Sequence, residues 1–442
     1  MKPFVLTWEW EAAGRVRAPE LAATWARLVI QVRGIAVTRL VDTSAQSLRD
    51  GVYVPLYPLA EWLACNWWAL FHQYSSRQQA GSFPRSHNLR YAGDGFALPD
   101  LALESAGETM LLRWRLRPMP GCQVQFIEQG EYRLDTRSIE EELRCFIEAV
   151  IRRLRDSGVE KSFLEEEWSA VCESMASAEE REFCEAMAAL GLDPYDCADD
   201  MAQGVLDLAQ RVPRSLCGEF LSATSAARLH SDAEWLLGLL GQTQPESELA
   251  RAWLSLSKEL PRLSMDDPWS QGYGLAREIR RKLCLEQKVP LTSDDLLAPA
   301  APAGLAWLFS GDFPPSIHAL LHFSPRDGPL LHLRKAKRED SQRFWICRAL
   351  CEVLLARGGE PSLVSEAESP RQKRNRAFAA ELLAPAAVLR QRLSSSWVDR
   401  ETVEDLAAEF QVSSYIIQHQ IVNHKLADIL DSDEAPAAGS GP

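Results

Sequence analysis

Two stretches decide how this chain is read: Arg343-Phe-Trp-Ile-Cys-Arg-Ala-Leu-Cys-Glu-Val-Leu-Leu355 and Arg374-Asn-Arg-Ala-Phe-Ala-Ala-Glu-Leu-Leu-Ala-Pro385. Both predict helices. On the first, Arg348 and Glu352 stand one turn apart on one face, and Phe344 shares that face. On the second, Arg374 stands one turn before Phe378, which aims it at the same interior. Charged side chains pointed into an apolar neighbourhood must find partners, because a lone buried charge is very costly. If the two helices face each other, Glu352 is expected to accept hydrogen bonds from Arg348, Arg374 or both, as an internal clamp.

Working outward, Arg343, Phe344, Leu350, Leu354 and Leu355 follow the pattern R-F-T-x-A-H-E-L-G-H-x-L-L. Phe378, Ala379, Ala380, Glu381, Leu382, Leu383 and Pro385 follow E-x-E-A-N-x-F-A-A-E-L-L-M-P. On these residues the chain resembles the ImmA/IrrE family, zinc metallo-endopeptidases that cleave repressors. The resemblance begins near Pro268 and ends near Leu430. It implies a zincin-like frame, but it also places the wrong chemistry at the metal. The two histidines become Arg348 and Glu352, the general base becomes Ala349, and the second-helix glutamate becomes Arg374, or Gln372 at the alternative position. Catalytic zinc needs about three His, Cys or carboxylate ligands and an open water position. A guanidinium has five donors and no acceptor. No catalytic residue, metal ligand or cofactor is therefore assigned, and Arg348, Ala349, Glu352 and Arg374 are vestigial metal-site positions.

What the resemblance then implies is a catalytically inactive pseudopeptidase. It would act as a regulatory or interaction protein with a protein partner, in phage defence or in mobile-element or stress regulation in a bacterial cytoplasm. Two other readings stay open. One is an active zinc endopeptidase in which Glu352, Cys347 or Cys351 and a distant His hold the metal. The other is a DNA-binding regulator that uses the C-terminal helices.

Composition narrows the classes. The 442 residues are 46% hydrophobic and 25% charged, ordinary values for a globular chain long enough for several domains. A net charge of -14 argues against a protein that holds nucleic acid by overall charge. The ten cysteines form no C-x-x-C pair and read as reduced thiols. Acids at Glu9 and Glu11 interrupt any leader-like apolar run, and no run approaches the roughly 18 residues that span a bilayer. No membrane association is expected.

The fold class read from the pattern is α+β. Residues 1–135 are expected to form a mixed α/β domain, 138–260 a helical segment, 268–430 the zincin-like domain with a helix-turn-helix-like end, and 431–442 a disordered tail. In the first part, Phe4–Glu11 predicts a strand, and Leu21, Trp25, Leu28, Val29 and Val32 predict a helix over 19–32. Leu59–Tyr74 predicts a buried aromatic helix, Ala36–Val41 and Phe96–Leu98 strands, and 110–116 with 123–127 two strands across a Pro/Gly turn. Arg85, His87, Asn88, Arg90 and Asp94 crowd one glycine-containing loop, a candidate polar site.

In the helical segment, Ser138 and Ser162 predict helix caps. In the last part, 298–304 reads as a small-residue connector, and Ile317–His322 with Leu330–Arg334 as a β-hairpin leading into a helix at Ser341. His318 and His322 have metal-like spacing, but in a strand that spacing is roughly 13 Å. Thr402–Phe410 and Ser413–Asn423 predict two short helices on a shared core, with Tyr415, Gln418, His419, Gln420 and Asn423 facing outward.

Overall fold

The computed structural model describes the chain except residues 1, 15, 77–80, 120, 242–246, 259, 261–266, 298–311, 325–327, 357–358 and 431–442. The connector read at 298–304 and the tail at 431–442 lie outside the described residues. The chain divides into two units. One holds the described residues of Met1–Arg211 and Thr224–His230, the other those of Val212–Ala223 and Ser231–Pro442. The helical stretch read as one segment over 138–260 is thus shared between the two units. Among the described residues no helix is long and apolar enough to cross a membrane.

The N-terminal unit is built on three small antiparallel sheets. The first is organised on β2 (Trp25–Val32), which pairs with β1 (Phe4–Trp10), β3 (Ile35–Ala36) and β6 (Val52–Pro55). The second joins β4 (Leu40–Asp42) to β5 (Ser47–Arg49) and β9 (Val124–Phe126). The third has β8 (Thr109–Arg115) between β7 (Asp100–Ala106) and β10 (Gly130–Asp135). Helices α1 (Pro19–Ala23), α2 (Tyr57–Cys65), α3 (Trp67–His72) and α4 (Phe83–His87) lie between the strands in sequence. Helices α5 (Thr136–Asp156), α6 (Phe163–Ala176), α7 (Ala178–Leu190) and α8 (Asp199–Arg211) follow them. One apolar core runs from Phe4 on β1 through Phe146 on α5 to Ala188 on α7.

Several local expectations for this unit are overturned. The helix read over 19–32 stops at Ala23 and becomes β2. Ala26, Leu28, Ile30 and Val32 are the buried residues, so strand alternation with β-branched side chains prevails over the three-four stripe. The strands at 110–116 and 123–127 exist but do not form one hairpin, because β8 takes β7 and β10 as neighbours while β9 crosses to β4. Phe96–Leu98 is not a strand, and pairing starts only at Asp100. The buried aromatic helix is present but breaks at Asn66 into α2 and α3, with Trp67 and Trp68 inside. Asp135, not Ser138, caps α5 by accepting from the Ser138 N–H, whereas Ser162 caps α6 as read.

The C-terminal unit contains α9 (Arg214–Ala223), most of α10 (Leu229–Leu240), α11 (Glu248–Ser257), α12 (Pro268–Lys282) and α13 (Ser293–Leu297). Next come β11 (Ile317–Ser324), β12 (Gly328–Leu333), α14 (Glu339–Leu355), β13 (Ser362–Ser365) and α15 (Pro370–Leu383). The hairpin of β11 and β12 forms as expected. The short β13 pairs antiparallel with the other edge of β11 and was not legible in the pattern. One face of the sheet, with Ala319, Leu321, Leu331 and Leu333, joins the core that α14 and α15 fill. Helix α12 crosses α15 so closely that a Cβ on Gly272 would lie 2.2 Å from the Arg374 carbonyl oxygen, so only glycine permits the approach.

The end of the unit holds α16 (Ala386–Arg392), β14 (Trp397–Val398), α17 (Arg400–Phe410), α18 (Ser414–Asn423) and β15 (Asp428–Ile429). Left-handed Gln411 makes the tight turn between α17 and α18, and Leu406, Phe410, Ile416 and Ile421 share a core. Gln420 departs from its outward reading. It is fully buried and donates to Glu381 at 2.8 Å and to the Ala384 carbonyl at 2.7 Å.

Candidate functional site

Helices α14 and α15 face each other across the end of β13, and the substituted positions meet there. Arg348 is 2% exposed. Its Nε donates to Asn375 Oδ1 at 2.8 Å, and its Nη2 donates to Gln372 Oε1 at 2.7 Å and to the Ser365 carbonyl at 2.6 Å. The guanidinium therefore ties α14 to α15 and to β13. Burial lowers the Arg348 pKa, with Arg376 pushing the same way and Glu352 opposing. The acceptors around it are neutral amide and carbonyl oxygens, which solvate a cation without cancelling its charge.

Glu352 is buried beside this group, and its partners differ from those expected. Neither arginine hydrogen-bonds it directly. Arg374 Nη2 stands 3.7 Å from Oε1 and Arg371 Nη1 3.9 Å from Oε2, ion-pair distances without hydrogen bonds. Among the described residues, the one donor at hydrogen-bond range is Asn375 Nδ2, at 3.3 Å. The expected clamp is thus corrected. Arg348 and Glu352 communicate through Asn375, because the guanidinium turns toward the carbonyl of β13 and the amides of α15. Ala349, at the base position, is buried and offers no acceptor side chain.

Further residues complete the site. Gln372 donates its Nε2 to the Leu363 carbonyl at 2.8 Å and to Glu219 Oε2 at 2.9 Å. Ser369, the N-cap of α15, donates its hydroxyl to Glu219 Oε1 at 2.6 Å. Glu219 lies 150 residues before Ser369 in the chain. Burial raises its pKa above the usual carboxylate range, against hydrogen bonds from Ser369 and Gln372 that lower it. Gln372 was singled out by the sequence. Asn375, Arg371, Ser365, Ser369 and Glu219 were not, and nothing near Glu219 in sequence signals its role.

The residues present do not fit zinc. Position 348 supplies only donors, and Glu352 is already flanked by two arginines. Burial pushes the Cys351 thiol up to about 12. It also raises Cys347, whose charged neighbours are Arg343 and Arg280. Among the described residues no group of three or more His, Cys, Asp or Glu is placed to hold a metal ion. His318 and His322 stand apart on β11, as strand spacing requires. His318 stacks on Trp345 at 4.1 Å, and His322 Nε2 lies 3.2 Å from His332 Nε2.

The polar loop of the N-terminal unit does not converge into one site. His87 is buried, with its ring stacked on Phe83 at 3.7 Å. Its Nε2 lies 3.0 Å from the Ala69 carbonyl, and its Nδ1 lies 3.0 Å from both the Ser86 hydroxyl and the Phe83 carbonyl, so a neutral ring donates to only one of the two carbonyls. Burial brings the His87 pKa down to about 4. Asn88 donates to Asp100 at 2.6 Å, and Arg90 stands 4.0 Å from the same carboxylate. Arg85 and Asp94 are exposed, and Asp94 makes the turn with a φ of 43°.

A second buried carboxylate, Glu381 on α15, anchors the end of the unit. It accepts from Arg277 at 2.8 Å and Gln420 at 2.8 Å, and His424 approaches to 3.3 Å. Burial alone would raise its pKa, but the close approach of His424 and the hydrogen bond from Arg277 bring it below the usual range.

Comparison with known proteins adds the family. Among curated proteins none matches the chain. Residues 306–422, which carry β11 to α18, match the IrrE N-terminal-like domain, so the C-terminal part of this chain is a domain of the ImmA/IrrE family.

Proposed function

We propose that this protein is a metal-free pseudopeptidase whose ImmA/IrrE-like domain serves as a regulatory or interaction module with a protein partner. One observation carries the reading: a buried, hydrogen-bonded arginine stands at position 348, where an active member of the family holds its metal through histidine. A guanidinium there repels a cation and ligates none. Ala349, at the base position, has no side chain that takes a proton from an attacking water. The setting in phage defence or in mobile-element or stress regulation follows from the resemblance alone.

Elemental analysis of the purified full-length chain, paired with incubation of a helix-turn-helix repressor, tests the reading. The expected result is no stoichiometric zinc and no cleavage. Stoichiometric zinc that is lost on Glu352→Ala, or cleavage abolished by a chelator, would overturn it.

A further inference from the structure

Helix α9 belongs to the C-terminal unit, although the residues on both sides of it in sequence belong to the N-terminal unit. It buries Leu216, Phe220 and Leu221 and packs on β13. Its polar anchor at the site is Glu219. That carboxylate takes the Ser369 hydroxyl and the Gln372 amide at the start of α15, where the positive end of the helix dipole favours an anion. Ser369 and Gln372 are fully buried.

Gln372 is the joint between this anchor and Arg348. Its Oε1 faces three donors: Arg348 Nη2 at 2.7 Å, the Ser365 N–H at 3.0 Å and Asn375 Nδ2 at 3.2 Å. Its Nε2 faces two acceptors, Glu219 and the Leu363 carbonyl. A guanidinium on one side therefore fixes which way the amide points. That orientation supplies the donor that the Glu219 carboxylate takes. The reversed amide would set N–H against guanidinium and carbonyl against carboxylate, losing both bonds at once.

We infer that Arg348, Gln372 and Glu219 form a relay that makes the docking of α9 depend on the state of the substituted metal site. This deepens the reading of that site as a regulatory module by naming the element it controls. The arginine would then be more than a plug. A partner that disturbs Arg348 or Gln372 would loosen α9, and displacing α9 would free the Gln372 amide.

Hydrogen exchange on the full-length chain, read by mass spectrometry, tests the relay. Gln372→Glu gives Arg348 a charged acceptor but sets a second carboxylate against Glu219. The expected result is exchange of the α9 amides at least about tenfold faster, the scale of one lost buried hydrogen bond, with α11 unchanged. Adding Glu219→Gln to that variant restores a donor between the two side chains and should return the protection. Glu219→Ala alone, which alters neither α14 nor α15, should loosen α9 in the same way. Unchanged α9 exchange in Gln372→Glu and Glu219→Ala, or equal loosening of α9 and α11, would overturn the relay. The zinc measurement is independent of it. A zinc-loaded chain that shows the relay would sink the function reading alone, and a metal-free chain without the relay would sink the relay alone.

Discussion

Glu352 on α14 and Glu381 on α15 are both buried carboxylates in one domain, and they are held in opposite ways. Glu381 receives direct hydrogen bonds from Arg277 and Gln420, at 2.8 Å each. Glu352 has one amide donor at 3.3 Å and two guanidinium groups beyond hydrogen-bond range. The first is a finished structural joint. The second is a looser arrangement, where the organising charge is Arg348 and the neutral amides of Asn375 and Gln372 carry the contacts. A buried charge can thus be accommodated either by pairing or by solvation with amides, and the two arrangements should respond differently to mutation.

The largest expected effect is at the organiser. Arg348→Met leaves Asn375 Oδ1 and the Ser365 carbonyl without the guanidinium and takes one of three donors from Gln372 Oε1. It should cost about 3–5 kcal/mol in denaturant unfolding, the scale of two or three buried hydrogen bonds to a charged group. A cost no greater than the roughly 0.5 kcal/mol of a surface change would show that the cluster is not cooperative. Glu381→Ala comes next, at about 3 kcal/mol, since part of its interaction with half-exposed Arg277 is screened by solvent. Glu352→Ala should cost less, about 1–2 kcal/mol, because Asn375 Nδ2 keeps Gln372 Oε1 and both arginines reach solvent. If Glu352→Ala proves costlier than Glu381→Ala, the contrast between the two carboxylates fails.

Acid sharpens the contrast further. The Glu381 pKa is lower in the folded chain than the ordinary value of about 4.3, so its contribution is complete above that value and is lost as pH falls through the folded one. Stability of the wild-type chain should fall below about pH 5, and Glu381→Gln should flatten that fall. Equal pH slopes in the two proteins would remove Glu381 from the account. The smallest expected effect is at the tail. Residues 431–442 bring no large apolar side chain, so a chain ending at Leu430 should melt within about 0.5 kcal/mol of the full length.

Much of this was written in short stretches. The patterns around Arg343 and around Phe378 placed the two helices, and it was the resemblance, not local spacing, that brought Arg348, Glu352 and Arg374 together. What local spacing could not give is the choice of partner. The guanidinium of Arg348 turns to a carbonyl on β13, a four-residue strand too short to announce itself by alternation. Glu219 arrives from a distant helix whose sequence carries no mark of the site. The same limit explains β2, where the three-four stripe and the two-residue alternation coexist and only pairing on both edges decides between them. It also explains Gln420, whose polarity suggested solvent but whose partner is the buried Glu381.

The central claim, that an arginine-filled hydrogen-bond cluster stands where the family's zinc would sit, is most directly tested by melting the full-length chain with a strong chelator and with excess zinc. The account predicts the same melting temperature in both, because nothing at positions 348, 349 and 352 gains from the ion. A rise of several degrees with zinc that disappears in Glu352→Ala would contradict it.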